Sequence, residues 1–185
     1  MSEPSQPDAT HHQFLPLSDD ALLKQCTVDT YKSSGPGGQH RNKVSSAVRL
    51  RHAPSGLMST GDQSRSQHEN KRLALKRLRK QIATSLRAPV DLADPPGRPL
   101  SECIHTDKRR PKGPLRLDVG RKDHRFWAVV AQLLDRLEAA EGRAGDAGDS
   151  IGISTSNLIR IFKSDTTALT AAQNIRKKHG LKTFT

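Results

Sequence analysis

Residues 35–43 read Gly-Pro-Gly-Gly-Gln-His-Arg-Asn-Lys, and this is the stretch whose residue types and order suggest chemistry. Gly37 and Gly38 open backbone angles closed to any residue with a Cβ, and Pro36 stiffens the approach. The expected product is a thin, shaped loop tip that carries Gln39. His40, Arg41 and Lys43 follow at once, so positive charge sits directly behind the tip. Such a loop suits a narrow, phosphate-lined space, because bulk at the tip would bar entry and cations behind it would hold it in place.

The rest of the composition points to a polyanionic partner. The chain of 185 residues has 31 Lys and Arg against 19 Asp and Glu, a formal net charge of +12. Its pI is about 10.2. The excess is concentrated around the glycine loop, with 13 Lys and Arg against two acids in residues 31–88. A balance of this kind says nothing about fold but favours nucleic acid. One Trp, one Tyr and four Phe leave no material for a large aromatic core. Cys26 and Cys103 stand alone, without the spacing of a zinc site or a disulfide framework, which fits a reducing compartment; no metal or cofactor is implied. Residues 1–20 are acidic, lack Arg and contain no long apolar run, so neither a secretory signal, a transit peptide nor a membrane span is expected. A bacterial cytoplasm is the expected location, with an organelle as the alternative.

Elements that could position the loop follow from patterning. Ser18 or Asp19 can cap a short helix through Leu23, and Cys26 to Tyr31 reads as a strand entering the loop. Asn42 to Ser46 can form a turn of helix. Ala47 to Ala53 alternates apolar and basic residues, as a half-buried strand showing Arg49 and Arg51 to solvent would. Pro54-Ser55-Gly56 is a turn and Leu57 to Thr60 a returning strand. From Ser64 to about Leu86 the spacing becomes helical, with Leu75, Leu78, Ile82 and Leu86 on one face and a basic remainder.

The prolines between Pro89 and Pro99 predict a linker, and residues 105–125 an extended basic segment whose plainest role is that of a solvated connector. The expected organisation is a flexible lead-in at 1–17, a domain at 18–88, a Pro-rich and basic linker at 89–125, and a small helical unit at 126–185. Within that last unit Phe126 to Ala140 carries the stripe Phe126, Val129, Val130, Leu133, Leu134 and Leu137. Ser154 opens another helix, and a final one runs from about Thr166 to His179, with Gly180 beyond it. Gly152-Ile153-Ser154 followed by Leu158 and Phe162 resembles the turn of a helix-turn-helix. Gly145 and Gly148 would fall in the preceding helix, however, and a helical packing module is the expectation.

The central block carries a wider signal. Tyr31 through Lys43, then Ser46-Ala47-Val48-Arg49-Leu50, Gly56, Gln63 through His68, Asn70-Lys71 and Ala74-Leu75 closely resemble the catalytic domain of class I peptide chain release factors. The resemblance covers roughly residues 20–87 in order. It implies a compact α+β domain with the glycine loop; with the patterning above, the expected fold is α+β, a small mixed sheet with that loop covered by a basic helix, followed by a small all-α carboxy-terminal unit. It also implies entry of the loop into the peptidyl transferase centre and hydrolysis of the ester joining nascent peptide to transfer RNA.

Within that resemblance Gly37, Gly38 and Gln39 are the catalytic candidates. A main-chain N–H of Gln39 aimed at the ester carbonyl oxygen would stabilise its developing negative charge, worth about 10²–10³ in rate. The Gln39 side chain would place the attacking water. The loop holds no good general base; His40 could serve, but RNA binding or local packing is the preferred reading. His40, Arg41, Lys43, Arg49, Arg51, Arg65, Lys71, Arg72, Lys76 and Arg79 are the candidate RNA contacts, each with a solvated basic surface as its plain alternative. The implied partners are the ribosome, through large-subunit rRNA, peptidyl-tRNA, and a glutamine methyltransferase acting on Gln39; a monomer with no membrane association is expected. Full-length members read stop codons through Pro-x-Thr or Ser-Pro-Phe motifs in a separate domain, and neither motif occurs here. The chain therefore resembles the codon-independent members that rescue stalled ribosomes. A non-catalytic ribosome- or RNA-binding protein and a regulator using the carboxy-terminal helices on nucleic acid are the alternatives.

Overall fold

The computed structural model describes residues 9–32 and 46–184. The chain divides into two compact units, one ending at Ile82 and the other beginning at Ala83. This boundary falls before the Pro-rich stretch and not within it.

The first unit is built on three antiparallel strands, β1 (Cys26–Tyr31), β2 (Ala47–His52) and β3 (Met58–Gly61), in the order β1-β2-β3. The sheet was expected to be mixed; every pairing in it is antiparallel. On central β2 the residues Val48, Leu50 and His52 are fully buried, while Arg49 and Arg51 point to the other face, as the alternation predicts. The register pairs Tyr31 with Ala47, so the segment containing the glycine loop runs between two adjacent strand ends. Gly56, at φ 68°, makes the turn from β2 to β3, closed by His52 N–H donating to Leu57 O at 2.8 Å.

A long helix, numbered α3 after two short amino-terminal ones, spans Gln67–Ser85. Its first four turns lie in this unit and bury Asn70, Ala74, Leu75, Leu78 and Ile82. A Cβ at Gly61 would stand 2.0 Å from the carbonyl oxygen of Asn70, so only glycine allows the helix this close to β3.

The lead-in expected to be flexible contributes to this core from residue 11 onward. It forms α1 (His11–Phe14); the helix expected from Ser18 follows as α2 (Asp19–Lys24), with the Ser18 hydroxyl accepting from Ala21 N–H. Phe14 is buried edge-on against the His52 ring, with centroids 4.7 Å apart. His52 is held by Ser55 Oγ at 2.7 Å from Nδ1 and Gln25 Oε1 at 3.0 Å from Nε2. Burial lowers its pKa below the ordinary value.

The second unit centres on α4 (Phe126–Ala139), whose expected stripe of six apolar residues is wholly buried. Around it stand α5 (Ala144–Asp149), α6 (Thr155–Lys163) and α7 (Thr166–Lys178), capped by Ser154 before α6 and Asp165 before α7. Gly142 and Gly180 take φ 78° and 72° beyond α4 and α7. From residue 126 onward the described elements are all helices, as expected, and within the preceding segment Ile104–His105 (β4) pairs antiparallel with Arg116–Leu117 (β5).

The segment expected as a linker, 89–125, contributes Leu100, Cys103, Leu117 and Val119 to the same core as α4. It is held there by polar groups on α4 that periodicity alone assigns to solvent. Gln132 donates to Arg98 O at 2.7 Å, Arg136 to Asp94 O at 2.9 Å, and Asp135 accepts from Ala88 N–H at 3.1 Å while pairing with Arg87.

Candidate functional site

Gly37, Gly38, Gln39, His40, Arg41 and Lys43 lie outside the described residues, as does nearly all of the helical turn expected at 42–46. What the structure describes is the frame that brackets them. Upstream the frame is Tyr31 and Lys32; downstream it is Ser46 and the start of β2.

The downstream edge is fixed by a residue not singled out for any role beyond the resemblance. Asn70, fully buried in the first turn of α3, donates from Nδ2 to Ser46 O at 2.8 Å and to Ser64 O at 2.7 Å, and its Oδ1 accepts from Ser64 N–H at 2.9 Å. One amide thereby joins the end of the loop segment to the entry of the helix. The neighbouring serines complete the entry: Ser66 Oγ accepts from Glu69 N–H at 3.3 Å, and Ser64 Oγ bonds the Glu69 carboxylate. Thus the Gln63-to-Lys71 block serves as a helix start and a brace for the strand. Only its pairing of Ser with a downstream Glu, the mark of a capping box, hints at this from sequence.

The candidate cations separate into three groups. Arg51, Arg65, Arg72 and Lys76 are exposed and Lys71 is half-buried; none has a carboxylate within ion-pair range among the described residues. Arg72 and Lys76 stand four residues apart on α3, facing away from the buried side, on a cleft of about 400 Å³ with Asp19, Glu69, Leu73, Leu75 and Arg79. Arg49 is half-buried, with its guanidinium 5.0 Å from the Tyr31 ring centroid and its enclosed Nε without a hydrogen-bond partner among the described residues. This stacking places a cation at the strand ends that bracket the loop.

Arg79 differs from the expectation. Its guanidinium donates to Leu15 O at 3.1 Å, Leu17 O at 2.6 Å and Asp19 Oδ1 at 2.8 Å, filling its planar donor fork. Those bonds fasten the amino-terminal helices to α3, so Arg79 is a structural clamp and not a free phosphate ligand. Arg77 is spent similarly, on Thr60 O at 2.7 Å.

The helix-turn-helix resemblance does not extend to a free reading helix. Gly148 permits tight packing, since a Cβ there would lie 2.9 Å from Ile153 O. On α6, however, Asn157 exchanges two hydrogen bonds with the Leu117 backbone at 2.7 and 3.0 Å, and Arg160 donates to Leu117 O at 2.9 Å. Asn157 and Arg160 of α6 are thus engaged by β5, while Ser156 and Lys163 remain exposed.

Comparison with known proteins finds similarity over the amino-terminal part of the chain. Residues 21–94 match the model of the RF-1 domain. The chain is 42% identical over 76 residues to peptide chain release factor 2 of Buchnera aphidicola subsp. Baizongia pistaciae, covering 38% of this chain and 21% of that protein. It is 39% identical over 118 residues to peptide chain release factor 1 of Albidiferax ferrireducens, covering 60% of this chain and 30% of that protein. With peptide chain release factor 1 of Xylella fastidiosa the identity is 48% over 61 residues, covering 33% and 17%. The chain thus spans less than a third of the length of each of these curated relatives. Residues 21–94, which carry the antiparallel sheet and the basic helix that covers it, are thus similar to the RF-1 domain of peptide chain release factors.

Proposed function

We propose that the chain hydrolyses the ester of peptidyl-tRNA on the ribosome without reading a stop codon, and so releases nascent peptides from stalled ribosomes. The observation that carries this reading is the uninterrupted Gly37-Gly38-Gln39 inside a segment that matches the RF-1 domain from residue 21 to residue 94. Water adds to the ester carbonyl carbon, negative charge gathers on the carbonyl oxygen, and the bond to the tRNA oxygen breaks as that oxygen takes a proton. The Gln39 main-chain N–H stabilises the oxyanion and its side chain places the water. Because the loop has no general base of its own, the ribosome supplies the rest of the site.

His40, Arg41 and Lys43 behind the tip, Arg49 and Arg51 on the sheet, and Arg65, Lys71, Arg72 and Lys76 around the helix hold large-subunit rRNA by phosphate contacts. Two features support this set: the described members other than Arg49 lie exposed or half-buried without acidic partners, and Arg49 stacks on Tyr31 beside the loop. Codon independence belongs to the same proposal, and comparing release at a stop codon with release on truncated message tests it. The same proposal includes action as a monomer in a bacterial cytoplasm and modification of Gln39 by a glutamine methyltransferase. Among the described residues no helix is long and apolar enough to cross a membrane.

A non-catalytic ribosome binder has no need of the sequence Gly37-Gly38-Gln39. The experiment that separates the two is single-turnover release from stalled ribosomes by the intact chain and by Gln39→Pro, which deletes that donor. The enzyme reading expects release from the first and almost none from the second, with ribosome binding unchanged. Equal release from both overturns the assigned mechanism, and no release from either supports the binder.

A further inference from the structure

The hairpin joining β4 to β5 in the second unit lies in the segment expected as a solvated connector, yet its root is more tightly held than a connector needs. Asp118 N–H donates to Cys103 O at 3.0 Å across the strands, Leu117 is fully buried, and Leu115 N–H donates to Gly152 O at 2.7 Å. Asn157 and Arg160 grip the Leu117 backbone as described above. The tip is shaped as well. Asp107 accepts from Arg109 N–H at 2.9 Å through its carboxylate and from Arg110 N–H at 3.0 Å through its carbonyl, and Arg110 O accepts from Gly113 N–H at 2.9 Å. Pro111 and Pro114 stiffen what remains. The backbone from Asp107 to Gly113 is therefore already ordered, which removes much of the entropic cost of using it for binding.

This ordered tip presents Lys108, Arg109, Arg110 and Lys112, all exposed. Asp107 is the one acid between residues 106 and 115, and its carboxylate is engaged by the turn. Elsewhere in the unit Arg98, Arg121, Arg125 and Arg143 each lie within 4 Å of a carboxylate, yet these four cations have none among the described residues. Four like charges within five residues repel one another, a cost that a polyanion converts into binding. The hairpin offers no aromatic and only one exposed aliphatic side chain, Leu115 at 40%, so it has nothing to insert into a lipid surface. A phosphodiester backbone needs only closely spaced cations, with Arg109 and Arg110 able to take phosphate oxygens two at a time.

We infer that the β4–β5 hairpin tip is a second RNA-binding element, which grips RNA phosphates through Lys108, Arg109, Arg110 and Lys112. It does not depend on the hydrolysis reading, since it concerns a different unit and binding alone. The test uses the full-length chain and the quadruple variant Lys108→Ala, Arg109→Ala, Arg110→Ala, Lys112→Ala. Binding to a fluorescein-labelled RNA duplex of about 20 base pairs is followed by anisotropy from about 50 to 250 mM KCl.

The expected result is a fall of about three to four in the slope of log K against log salt, with thermal unfolding unchanged because these side chains brace nothing. A companion variant, Arg109→Lys with Arg110→Lys, retains most of the slope. A fall of less than about two in the quadruple variant overturns the inference. So does loss of binding to phosphatidylserine vesicles or to a poly-glutamate peptide with RNA binding intact. Peptide release is scored separately, so failure of the catalytic proposal leaves this outcome readable.

Discussion

Replacing Asn70 by Ala removes the brace between the loop segment and α3, and the structure sets the scale of the loss. Three hydrogen bonds of 2.7–2.9 Å disappear, stranding Ser46 O, Ser64 O and Ser64 N–H. A stranded buried group costs about 1–3 kcal/mol; Ser46 and Ser64 are half-buried, so water partly replaces the lost partners and the lower figure applies. The expected destabilisation of the first unit is about 3 kcal/mol, a large share of the 5–15 kcal/mol typical of a domain. Amide hydrogen exchange reads this unit by unit. Exchange at Val48 and Leu50 should accelerate by about 10²-fold, while that at Leu133 and Leu134 of α4 stays unchanged. Asn70→Asp should be no milder at neutral pH, because a carboxylate would face the two carbonyl oxygens that the amide now serves. An Asn70→Ala effect below about 1 kcal/mol would refute the brace, as would equal acceleration in α4.

Other perturbations separate chemistry, binding and stability. Gln39→Ala keeps the backbone donor and should retain measurable release, whereas Gly37→Ala and Gly38→Ala should do more damage, since a Cβ costs about 1–2 kcal/mol where the backbone is left-handed. In single-turnover release at saturating protein, an inactive Gln39→Ala beside active glycine variants would make the side chain the catalyst. Lys71→Ala, Arg72→Ala and Lys76→Ala together should lower the salt slope of ribosome binding by about three, while Arg79→Ala should instead lower urea stability with little change in slope. A steep slope loss from Arg79→Ala alone would contradict its role as a clamp. Burial lowers the His52 pKa, so the neutral ring is the form the fold favours; its contribution is present above the unfolded value near 6.5 and is lost as pH falls below it. Urea midpoints of the first unit at about pH 7.5 and 5.5 should show this fall, and His52→Gln should flatten it.

Periodicity made much of the scaffold legible. Alternation located β2 with its outward arginines, the apolar stripe located α4, and Ser18 and Ser154 marked helix starts where the structure has them. The 89–125 segment was illegible because its core residues, Leu100, Cys103, Leu117 and Val119, are isolated among prolines and charges and follow no period. What holds them is hydrogen bonding by Gln132, to Arg98 O, and by Arg136, to Asp94 O, both polar residues that a helical wheel leaves in water. Arg79 and Arg72 look alike in sequence; only tertiary partners make one a clamp and leave the other without an ion pair among the described residues. Asn70 was visible as part of a motif, but its role depends on Ser46, which becomes its neighbour only on folding. The glycine loop lies outside the described residues, and its reading rests on residue type alone.

The central claim is ribosome-dependent, codon-independent release, and one three-way measurement tests it most directly. Peptidyl-tRNA hydrolysis by the intact chain is timed with free peptidyl-tRNA, with ribosomes stalled at the end of a truncated message, and with ribosomes paused at a stop codon. The account predicts negligible hydrolysis of the free substrate, release from the truncated-message complex, and no requirement for the stop codon. Comparable turnover of free peptidyl-tRNA, or release only when a stop codon occupies the decoding site, would contradict it.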